Sequence, residues 1–80
     1  MSDDRLDGYT IYRNPSDAPG MYVLRAWVVN VHGQQVWGPA VATEMTDKAL
    51  DVIRKTMLAE GRVRFDRDET DEPQIVETWL

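Results

Sequence analysis

The chain has 80 residues, a net charge of −5 and no cysteine. A chain of this length makes one small domain that buries only about 60 to 65% of its unfolded surface, which leaves no room for a second. The missing thiols exclude a disulfide framework and a thiolate zinc site, and an apolar fraction of 42% with three Trp, three Tyr and one Phe excludes a wholly disordered chain. With no basic and apolar leader at its start, the chain is expected in a reducing cytoplasm. Its longest apolar run, within MYVLRAWVVNV, is broken by Arg25 and Asn30 and falls short of the ~20 residues a membrane helix needs.

In chain order, residues 1–8 (MSDDRLDG) are polar and are expected to fray, and a short strand starts at Tyr9 in TIYRN. NPSDAPG is a loop, since Pro15 and Pro19 fix φ and cannot donate, and Gly20 permits a positive φ. Met21 to Val31 reads as the longest strand, apolar on both sides and therefore suited to the sheet interior. VHGQQV marks a hairpin at Gly33, and Val36 to Thr43 returns as a strand whose Gly38 and Pro39 point to a bulge or an edge. The period then lengthens to about 3.6. TDKALDVIRKTMLAEG predicts a helix with Thr46 as N-cap, Ala49, Leu50, Ile53 and Met57 along its apolar face, and Gly61 past its end. RVRFD and Gln74 to Leu80 follow as strands. The expected fold is α+β: one domain over residues 1–80, with an antiparallel sheet of four to five strands in the order β-β-β-α-β-β and one helix packed on one face.

The charge is concentrated. Residues 66–77 hold six of the fourteen acids against one base, Arg67, leaving eight acids and eight bases elsewhere. Extended carboxylates succeed one another at about 3.3 Å per residue, close to the roughly 3.4 Å charge spacing along one nucleic acid strand. Asp66, Asp68, Glu69, Asp71 and Glu72 are therefore the candidate partner-binding residues, directed at a basic protein surface. Asp3, Asp4 and Asp7 extend the patch if the N-terminus lies alongside. Trp37 or Tyr12 is a candidate aromatic anchor, although the tryptophans of so small a domain are more often core.

Other chemistries fit less well. Asp66, Asp68, Thr70 and Glu77 fall at ligand positions of a calcium loop, but Asp71 stands where glycine is needed and Pro73 where an apolar β-branched residue is. His32 has no second histidine for a metal site, neither serine lies in a nucleophile elbow, and the five glycines make no phosphate loop. Arg54, Lys55, Arg62 and Arg64 form only a modest basic cluster beside the acidic run, which disfavours direct nucleic acid binding. The expectation is a binding protein rather than an enzyme, with no metal or cofactor.

The segments YTIYRNPSDAPGMYVLRAW and DEPQIVETWL resemble those of short bacterial and phage proteins that carry no diagnostic motif. In size, acidity, lack of cysteine and β-rich plan the chain also resembles the phage-encoded anti-CRISPR proteins that inhibit type I surveillance complexes, type I-C included. That resemblance implies an inhibitor acting by stoichiometric binding in the host cytoplasm. Its acidic surface would mimic DNA and occupy the DNA-binding channel of a Cascade complex. The alternative is a small structural or assembly protein with no CRISPR role, monomeric or homodimeric through an exposed edge such as Val36 to Thr43.

Overall fold

A computed structural model describes residues 6–80, which leaves Asp3 and Asp4 outside the described residues. Five strands form one antiparallel sheet: β1 (Leu6–Arg13), β2 (Met21–Val29), β3 (Gln35–Glu44), β4 (Arg64–Asp66) and β5 (Ile75–Trp79). One helix, α1 (Asp47–Ala59), lies between β3 and β4 in the chain. The spatial order β3-β2-β1-β5-β4 puts the first strand in the middle. The helical crossover therefore carries the chain from one edge of the sheet to the other, and β5 returns to fill the gap beside β1. The expected α+β plan, with its β-β-β-α-β-β order, is the observed one. No helix among the described residues is long and apolar enough to cross a membrane.

Local chemistry fixes each boundary. Thr46, extended at φ −125° and ψ 155°, accepts a hydrogen bond from Ala49 N–H at 3.1 Å and starts the helix as its cap. Gly61 leaves it at φ 77°, with Arg62 N–H bonding back to the Met57 carbonyl. In the β2–β3 hairpin, Asn30 Oδ1 accepts from both His32 and Gln34 N–H, and Gly33 takes the positive φ that the sequence reserves for it. Between β1 and β2, Asn14 Oδ1 accepts from Gly20 N–H at 2.7 Å and closes the proline-rich loop.

Strand bounds differ from expectation in every strand, and β4 and β5 are shorter than expected at Arg64–Asp66 and Ile75–Trp79. β1 starts at Leu6, because Leu6 to Gly8 pair with Val29 to Trp27 and are not frayed. β2 ends at Val29, since Asn30 begins the turn, and Val31 is 82% exposed. β3 is consequently the longest strand at 10 residues. The expected irregularity at Gly38 and Pro39 is present as a register shift opposite Ala26.

Alternation assigns the two faces of the sheet. The helix covers Tyr9 and Ile11 of β1, Tyr22 and Leu24 of β2, and Glu77 and Trp79 of β5, with Leu50, Ile53 and Met57 packed onto them. Ile11, Met57 and Glu77 are nearly inaccessible. A buried carboxylate needs its charge answered. Arg54 reaches down from α1 and donates Nη2–H to Glu77 Oε1 at 2.7 Å and Nε–H to both oxygens at 3.2 Å, while Trp79 Nε1–H donates to Oε2 at 2.7 Å. The pairing raises the Arg54 guanidinium above its ordinary range, the hydrogen bond to Glu77 being the main cause. On the opposite face Trp27 lies across Gly8 and donates Nε1–H to Thr10 Oγ1 at 3.0 Å.

Glu77→Ala strands the Arg54 charge and the Trp79 indole N–H, and should cost about 3 kcal/mol in urea unfolding, the low end for a broken buried pair because Arg54 still meets water. At Gly8 an added Cβ would stand 2.6 Å from Trp27 Cζ2 and 2.7 Å from the Trp79 carbonyl oxygen. Gly8→Ala should therefore cost about 1 to 3 kcal/mol in the same assay.

Candidate functional site

The acidic run joins β4 to β5, and the five carboxylates within it take different parts. Asp66 is the last residue of β4, opposite Glu77 and thus on the helix side of the sheet, where it pairs with Arg64 at 3.3 Å. The next residues turn toward the opposite, open face. Asp71 Oδ2 accepts from Asp68 N–H at 2.9 Å and Asp68 Oδ1 accepts from Thr70 N–H at 3.2 Å, so two acids build the loop from inside. Arg67 donates to the backbone carbonyls of Asp71 and Glu72 at 3.2 and 3.3 Å rather than to a carboxylate. The only arginine in the run thus ties the loop together. Asp68, Glu69, Asp71 and Glu72 form no ion pair with a described residue. Glu69 and Glu72 are exposed, and their carboxylates close no hydrogen bond of the loop.

The loop is anchored at both ends. On one side it leaves the β4–β5 ladder, and on the other Arg13 N–H donates to the Gln74 carbonyl at 2.6 Å and Ile75 N–H to that of Glu72 at 3.0 Å. Thr70, Asp71 and Glu72 overhang the open face, sharing a hollow with Trp27, Trp37 and Thr78.

Beside that overhang opens a cleft of about 410 Å³ lined by Tyr12, Asp17, Arg25, Trp37 and Glu72 among others. Tyr12 and Trp37 form its aromatic wall, their ring centroids 6.4 Å apart and tilted at 55°. The Arg25 guanidinium sits 5.8 Å from the centre of the Trp37 ring, and its Nε is buried without a hydrogen-bond partner. Burial raises the Tyr12 phenol above its ordinary 10.0; Glu72 adds to the shift, Arg25 opposes it and Asp17 reinforces it. Aromatic faces rimmed by carboxylates suit a cationic side chain.

The structure brings Asp71 and Glu72 together with Tyr12 and Trp37, the two candidate anchors, while Asp68 and Glu69 belong to the same loop and line neither hollow. Trp37 is 44% exposed, whereas Trp27 and Trp79 are core. Asp7 lies elsewhere. It stands five residues before Tyr12 along β1, about 17 Å away, and pairs with Arg62 at 3.3 Å. It does not extend the patch. Among the described residues no group of three or more His, Cys, Asp or Glu is placed to hold a metal ion. Sequence reasoning missed Asp17 and Arg25, which reach the cleft only because the β1–β2 loop and the open face of β2 meet there. The alternation of Val23, Arg25 and Trp27 was the available signal.

No known protein family, curated protein or solved structure matches this chain.

The cleft makes a titration prediction. The folded phenol keeps its proton to higher pH than the unfolded one, so its contribution to stability is whole below about pH 10 and is lost as pH rises through the folded value. In Glu72→Gln the Tyr12 midpoint, isolated as the absorbance difference between parent and Tyr12→Phe proteins, should fall. It should stay above the ordinary value, because burial remains.

Proposed function

We propose that this chain is an inhibitory binding protein of the anti-CRISPR kind, which docks its acidic β4–β5 loop on a basic, DNA-binding protein surface such as the channel of a type I Cascade complex. The observation that carries the reading is the arrangement of the loop. Its backbone is held by its own arginine and two of its own aspartates, leaving Glu69 and Glu72 directed outward with no ion pair to a described residue.

A surface that binds DNA holds lysines and arginines in rows, and each charge-assisted hydrogen bond from such a row contributes about 1.5 to 3 kcal/mol before desolvation is counted. A loop already fixed at both ends loses little conformational freedom on docking. Trp37 and Tyr12, next to Glu72, supply an aromatic contact over which an arginine of the partner can stack. Binding rather than catalysis is the role this arrangement suits, since the carboxylates lie in a polar, open loop instead of an apolar pocket that would tune one of them as an acid.

The test is competition between this protein and target duplex for a type I surveillance complex. The protein should displace DNA, and its affinity should fall steeply as salt rises. Glu69→Lys combined with Glu72→Lys should weaken binding at least about a hundredfold, or roughly 2.7 kcal/mol, with the thermal transition nearly unchanged. Affinity unchanged in the double variant would count decisively against an electrostatic contact through this loop.

A further inference from the structure

We infer that the β3 edge is a self-association surface, through which two copies of this chain pair Ala40 to Ala42 in antiparallel fashion about a twofold axis at Val41. The inference is independent of the acidic loop. Among the described residues β3 has a strand on one side only, and all of its residues but Thr43 are exposed.

Register shows which backbone groups are free. Asn14 N–H bonds to the Met21 carbonyl at 2.8 Å, so Val23, Arg25 and Trp27, in step with Met21, direct their backbone groups toward β1. Tyr22 and Leu24 then point theirs toward β3, where they meet Thr43 and Val41. Ala40 and Ala42 consequently hold N–H and C=O outward. A second copy rotated about Val41 sets Ala40 opposite Ala42 and Ala42 opposite Ala40, each exchanging both hydrogen bonds. Proline, which could not donate, falls at Pro39, just outside this segment.

The side chains are self-complementary as well. Ala40-Val41-Ala42 reads the same in both directions, so small residues meet small ones on the open face and Val41 meets Val41 on the helix face. Val41 is 65% exposed and Val52 of α1 55%. Together with Leu24 and Ile53 they line an apolar groove between β3 and the helix. A twofold axis normal to the sheet puts both helices on one side and merges the two grooves. Charge favours the same occupant. A chain of net charge −5 repels its own copy over most approaches, but Gln35 to Thr43 carries no ionisable group, and the groove is flanked by one residue of each sign, Glu44 and Lys48. Long edges are commonly protected by inward-pointing charges, and here there are none.

Sedimentation equilibrium of the full chain from micromolar to millimolar concentration should show a reversible monomer–dimer equilibrium. Val41→Lys should weaken it at least about tenfold, because two ammonium groups would meet on the axis, whereas Val63→Lys, next to β4 at the far side of the sheet, should leave it unchanged. The parent has no cysteine, so Val41→Cys should form a disulfide-linked dimer under mild oxidation and Val63→Cys should not. A parent that stays at 9.2 kDa throughout, or dimerisation that survives Val41→Lys and responds instead to Val63→Lys, would overturn the assignment.

Discussion

The helix is tied to the last strand by one ion pair beneath it. Glu77 is 2% exposed, and a carboxylate at that depth is tolerated only with its charge matched and its oxygens hydrogen-bonded. Arg54 supplies two-pronged contacts from α1, and Trp79 supplies the remaining donor from the same strand. The pair therefore sets the position of the crossover helix over β5. Through β5 it also sets where β4 and the acidic loop emerge, because the loop begins at the strand that pairs with Glu77 and ends just before it.

The two faces of the sheet divide the work. Under the helix lie Ile11, Tyr22, Leu50, Met57 and Trp79 with the buried ion pair, which together make the core. The open face carries a thinner aromatic layer, in which Trp27 fills the space above Gly8 and Trp37 leans over Arg25 toward Tyr12. The acidic loop shelters part of that layer, so the charged surface and the aromatic surface meet along one cleft.

Much of this architecture was legible in the residues. Thr46 and Gly61 bracket the helix chemically, Gly33 marks the hairpin, and the change of period after Glu44 separates strand from helix. The acidic segment was legible as a cluster of charge, but the separate roles of its members were not. Glu77 counts with the acids in composition, yet alternation along β5 turns it inward to Arg54, a partner 23 residues earlier that only the crossover brings near. Asp68 and Asp71 act as loop formers because local backbone N–H groups lie within reach, a geometry that composition does not specify. Asp7 failed as a patch member because β1 runs away from the loop and Arg62 meets it at the other end.

The central place of β1 bears on the route by which the chain folds. Its neighbours are β2, joined to it by a short loop, and β5, which follows every other element in the chain. The three-stranded meander β1-β2-β3 can form early, but until β5 inserts, the middle strand of the final sheet is itself a bare edge, and Ile11 and Tyr9 lack half their cover. Because that pairing joins segments far apart in the chain, it raises the contact order of the sheet, and folding is expected to be slower than for a simple meander of the same length.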